Sequence, residues 1–168
     1  MRKRILCAAV AAAAAGGLLV PMAFAGDNFS AKLLGDNEVP PINTAGSGTL
    51  SLNLDNPIRF TLTFSDLSSN AILSHIHFAP TKVAGGVMIF LCGGGGQPAC
   101  PAAKSGTVNG TITATNVTGP AAQGIAAGNL TAALEAVRDG LGYANVHSTN
   151  FPGGEIRGQV HPGRGDAE

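Results

Sequence analysis

Tryptophan is absent from this 168-residue chain, tyrosine occurs once, and aromatic residues make up only 5%. That argues against a carbohydrate-stacking groove, which needs broad aromatic faces. Charge is equally scarce: charged residues are 12% of the chain, with ten basic and ten acidic side chains. Bulk charge therefore gives no basis for holding nucleic acid or an anionic membrane. Long hydrophobic runs are missing beyond the first residues, so no transmembrane anchor is expected in the body of the chain. Glycine, with 24 residues, dominates instead. Together with many Thr, Ser and Ala, it gives the composition of a loop-rich extracytoplasmic β-protein rather than a helical enzyme.

The one apolar run reads as an export signal. Arg2, Lys3 and Arg4 form its basic start, Ile5 to Val20 its Ala-rich core, and Ala23-Phe24-Ala25 its small-residue cleavage site. Residues 1–25 are thus assigned to a signal peptide, 26–161 to one domain, and 162–168 to a disordered tail. Cleavage leaves seven basic against ten acidic residues, a mildly acidic exported protein. The expected location is the periplasm or the extracellular space. Cys7 leaves with the signal, and Cys92 and Cys100 remain, flanking a flexible Gly93-Gly94-Gly95-Gly96 run. In an oxidising compartment these two are expected to form a disulfide. No Lys-Ser/Thr follows the glycines, so a phosphate cradle is not indicated.

Short alternating segments separated by Gly, Pro, Asn and Asp predict antiparallel strands. They fall at Phe29 to Leu34, Gly48 to Leu54, Arg59 to Phe64, Leu73 to Phe78, Val87 to Leu91, Thr107 to Ala114, Leu141 to Ser148 and Glu155 to Val160. Asp36 to Ala45 is a loop. A single helix is predicted from Leu130 to Arg138, capped by Asn129 and ended by Gly140. The fold class is an all-β, antiparallel Ig-like sandwich with one short helix.

Three of the four histidines lie in two of these strands: His75 and His77 in one, His147 in another. Residues two apart share a strand face, so His75 and His77 point together while Ile72, Ile76 and Phe78 turn to the core. Arg157, Gln159 and His161 fall on the corresponding outer face of the last strand. If the two strands are neighbours, three or four imidazoles converge.

The motifs Gly35-Asp36-Asn37-Glu38-Val39-Pro40-Pro41, Ser74-His75-Ile76-His77, Tyr143-Ala144-Asn145-Val146-His147 and Gly153-Gly154-Glu155-Ile156-Arg157-Gly158-Gln159 resemble, in order, those of the CHRD domain, known from chordin and from exported bacterial proteins. The resemblance spans Phe29 to Val160 and implies a secreted Ig-like β-sandwich. It implies no chemistry, which must be argued from the residues.

Neutral imidazole suits copper or zinc, and copper tops the affinity order for nitrogen ligands. The leading expectation is a binding protein holding a transition metal, copper before zinc, through His75, His77 and His147, with His161 as an optional fourth ligand. The alternative is a protein-interaction or surface-matrix module in which those histidines bond the crossing loops and the Asn150 to Gly154 turn. A second alternative is a copper-only enzyme that resembles the copper side of Cu,Zn superoxide dismutases, in which Arg157 steers an anion. A purely binding role is preferred to an enzymatic one. Glu155 and Arg157 are expected to pair, and Gly153 and Gly154 to supply turn angles.

Overall fold

Period-two alternation builds the first half of the molecule. The computed structural model describes residues 27–163; the expected signal segment lies outside the described residues, as do residues 164–168 of the expected tail. Asn28–Leu34 (β1), Ser47–Asn53 (β2) and Arg59–Ser65 (β3) form an antiparallel meander with Phe29, Ala31, Leu33, Leu50, Leu52, Phe60, Leu62 and Phe64 turned inward. Ala71–Phe78 (β4), Gly86–Cys92 (β5), Gly106–Thr111 (β6), the helix Leu130–Arg138 (α1), Gly142–Ser148 (β7), Ile156–Gln159 (β8) and His161–Pro162 (β9) follow.

All pairings are antiparallel, and the strand order is β5-β4-β7-β8-β1-β2-β3-β6, with β9 also on β1. The join between β8 and β1 is a single pair, Leu34 with Arg157, against seven pairs between β1 and β2. The sheet turns there, and its two halves enclose one core in which Ile76, Ile89, Leu91, Val146 and Ile156 meet the meander's Leu and Phe side chains. Gly158 permits the close crossing, since a Cβ there would lie 2.3 Å from the Lys32 carbonyl oxygen. The result is the expected antiparallel sandwich, nearly a barrel, with one helix.

The helix starts at Asn129, whose side chain accepts from the Ala132 amide, and is followed by Gly140 at φ 71°. It buries Ala133, Ala136 and Val137, while Leu130 and Leu134 pack at its margin. Cys92 and Cys100 are bonded with their Cα atoms 5.0 Å apart. Gly94 and Gly95 of the intervening run lie against the Phe90 ring, and Gln97 donates to the Thr111 carbonyl on β6. On the other side, Ile89 of β5 bridges to Val117.

Three expectations are corrected. Strand β6 ends at Thr111, and Ala114–Asn116 is a 3-10 turn. Ile72 is 38% exposed, because a register shift between Ala71 and Leu73 turns it out of the core. Pro162 pairs with Phe29, and the Gly163 amide bonds the Asn28 carbonyl, so order continues past the expected start of the tail.

Candidate metal centre

Strands β4, β7 and β8 bring the polar residues into register. His75 pairs with Asn145 and Asn145 with Arg157; His77 pairs with Tyr143 and Tyr143 with Gln159; Leu73 pairs with His147. Alternation explains the set: Tyr143, Asn145 and His147 share one face of β7, while Ala144 and Val146 enter the core. This face is not open to water, as alternation alone suggests. His75 is 4% and His147 6% exposed, and His77 is half-buried. Connecting segments close over it through the Gly85, Val83, Ala79 and Pro152 carbonyls and the Glu38 carboxyl, each bonded to a side chain of the face.

The backbone partners settle the imidazole tautomers. His77 Nδ1 lies 3.0 Å from the Gly85 oxygen and His147 Nδ1 2.9 Å from the Pro152 oxygen. A carbonyl only accepts, so both Nδ1 atoms carry hydrogen and both Nε2 atoms present lone pairs. His75 Nδ1 sits 2.9 Å from His77 Nε2 and donates to it. His147 Nε2 is buried with no hydrogen-bond partner.

One nitrogen from each of the three rings lies within 4.8 Å of one from each of the others. The His75 ring is edge-on to His147, with centroids 4.5 Å apart, and to Phe90 at 4.9 Å. Burial, reinforced by the neighbouring His147 and His77, pushes His75 down to about 3. Burial likewise takes His77 down to about 4 against the pull of the Gly85 carbonyl, and lowers His147 against that of Pro152. All three are neutral at physiological pH, the form that ligates a metal.

His161 is not brought to this group. It is exposed on β9, paired with Ser30, and lines a cleft beside Arg157. Nor does Arg157 pair with Glu155. Its guanidinium lies over the Tyr143 ring, 3.4 Å from the centroid, and Tyr143 stacks on His77 at 4.6 Å. Glu155 instead accepts from Thr44 Oγ1 at 2.7 Å, the Ser68 amide at 2.7 Å, Ser68 Oγ at 3.0 Å and Ser148 Oγ. Burial acts to raise its pKa, but the Ser148, Thr44 and Ser68 bonds outweigh that and hold it below the ordinary carboxylate range.

Glu38 and Tyr143 are the site residues that the strand reading passed over. Tyr143 had a signal, standing two residues before Asn145 on the same face. Glu38 lies in a loop, outside any alternation, and its one signal was its place in the Gly35–Pro41 motif. Its Oε1 accepts from Asn145 Nδ2 at 2.6 Å, and burial raises its pKa to about 7 despite the Arg157 charge. Asn145 thus secures the loop through this carboxyl rather than through backbone. Of the two turn glycines, Gly154 has the positive φ, 126°, and a Cβ on it would meet both Asn145 and Glu38 under 3 Å.

The CHRD domain family model matches residues 29–160, and the chain belongs to that family. No curated protein and no solved structure matched the chain. A CHRD domain and a disulfide are consistent with an extracellular protein and with an interaction module. Among the described residues no helix is long and apolar enough to cross a membrane.

Proposed function

We propose that this CHRD domain is an exported protein that binds one transition-metal ion, copper before zinc, through His75, His77 and His147. The observation that carries the reading is the partnerless, buried His147 Nε2 beside two further imidazoles. An unpaired buried acceptor costs about 1–3 kcal/mol, and a metal ion would offset that cost. The His77–Gly85 and His147–Pro152 bonds are of the kind that orient metal-ligating histidines. Two metal–nitrogen bonds of about 2.0 Å at right to tetrahedral angles span about 2.8–3.3 Å. The 2.9 Å between His75 Nδ1 and His77 Nε2 fits that span once metal binding moves the His75 hydrogen to Nε2 and frees Nδ1 to ligate. Copper is preferred because it binds nitrogen ligands most tightly among the first-row divalent ions.

The test is elemental analysis of the mature protein, free of any His-tag, after exposure to equal copper and zinc. The expected result is about one copper per chain that survives dialysis, lost in His147→Ala with the circular dichroism spectrum retained. Protein that stays empty overturns the reading. A second reading has its own support: the same two carbonyl bonds tie loops to the sheet, as structural histidines of an interaction module would. In that case His147→Ala lowers stability and there is no metal to lose. A superoxide dismutase-like activity would further require an open metal position. It also meets the obstacle that Tyr143, on β7, stands between Arg157 on β8 and His77 on β4.

A further inference from the structure

Arg157 is a cation for which the histidine site has no task. The residue is 3% exposed, and of its guanidinium hydrogens one bonds the Val83 carbonyl, 2.7 Å from Nη2. Among the described residues the ion pair within 4.0 Å joins Arg138 to Asp27, so no carboxylate touches Arg157. Glu38, a carboxyl whose environment includes the Arg157 charge, commits Oε1 to Asn145. A guanidinium carries five N–H donors in a planar fork, and a buried charge ordinarily has an anionic partner.

Arg157 lines a cleft of about 570 Å³, within the range of small-molecule sites. Lys32 on β1 and Lys82, in the segment between β4 and β5, stand on its walls. With Asp36 and Glu38 the only acids on the lining, cations outnumber carboxylates three to two. Lys82 is one of two described non-glycine residues with positive φ, at 64°, a conformation that favours glycine and tends to occur at ligand clamps.

We propose that this cleft binds a small oxyanion, a carboxylate or a phosphate group, gripped by the unspent donors of Arg157 at its floor and by Lys32 and Lys82 on its walls. Carboxylate and phosphate share the geometry that a guanidinium fork recognises. The site needs no metal, because its donors belong to the protein and the Tyr143 ring separates Arg157 from His77.

The experiment titrates metal-free protein at low ionic strength with citrate and, separately, with inorganic phosphate. It is followed by calorimetry and by the fluorescence of Tyr143, the only tyrosine in a chain without tryptophan. Saturable one-site binding with a Kd below about 1 mM is expected for at least one of them, and which one identifies the carboxylate or phosphate source. The double variant Lys32→Ala/Lys82→Ala, at two exposed positions, should weaken it about tenfold or more. Arg157→Lys, which keeps the charge and loses the fork, should weaken it as well. Absence of saturable binding, or unchanged affinity in the double-lysine variant, overturns the proposal, whether or not Arg157→Lys folds. Since the titration omits metal, its failure leaves the histidine reading standing, and failed copper uptake leaves this one standing.

Discussion

On β1, β2 and β3 the residues facing away from the core include Ser30, Lys32, Thr49, Ser51, Thr61 and Thr63, all exposed, whereas every residue of β7 from Gly142 to Ser148 is buried. The first half of the sheet meets water on its outer face and fills it with hydroxyls. The second half carries a polar interior on that face, made of His75, His77, Asn145, His147 and Arg157, roofed by loops. The difference shows where this domain spends stability. Solvated threonines contribute little, while buried imidazoles, amides and a guanidinium each need a partner. A polar face removed from water is where binding chemistry is best placed.

Substitutions can sharpen this contrast. Leu62→Ala, in the fully buried centre of the meander, should cost the most, about 3–4 kcal/mol in urea unfolding. Glu155→Gln should come next, at about 2 kcal/mol, because an amide cannot accept from Thr44, Ser68 and Ser148 through both of its atoms. Acid should act on the buried polar face and on Glu155, not on the solvated hydroxyls. His75 and His77 have folded pKa values depressed to about 3 and about 4 from 6.5. Their stabilising effect is present above 6.5 and is lost as pH falls toward those values. Glu38, raised to about 7 from 4.5, works in the opposite direction. Its contribution is fully present below about 4.5 and fades as pH rises through 7. A melting series from pH 7.5 to 4 should therefore show falling Tm, and a steeper fall in Glu38→Gln, which removes the opposing titration. Thr63→Ala, on the solvated face, should change stability by less than about 0.5 kcal/mol. A comparable loss there would break the contrast.

Strands, helix, disulfide and the meeting of three histidines were legible because each has a local signal. Alternation marks β1 to β3, Asn129 and Gly140 bracket α1, and His75-Ile76-His77 puts two rings on one side of any strand. What was not legible depends on loops. Nothing local marks Glu38 as a partner for Asn145, or Val83 as the acceptor for Arg157, since both contacts cross long stretches of chain. The Glu155–Arg157 pairing failed because nearness along the chain competed with Thr44, Ser68 and Ser148, three hydroxyls that offer Glu155 donors. Ile72 turned outward because a bulge resets the period, which alternation cannot foresee.

The treatment of β5 and β6, the two outermost strands, bears on how copies of the protein meet one another. An unprotected outer strand offers its free amides and carbonyls to the next molecule and can start strand-by-strand polymerisation. Here the Ile89–Val117 bridge occupies β5, and Gln97, from the disulfide-closed loop, takes the last carbonyl of β6. Opening that loop by reduction would loosen the hold of Gln97 on the Thr111 carbonyl, so the small Cys92–Cys100 ring helps keep the end of β6 covered.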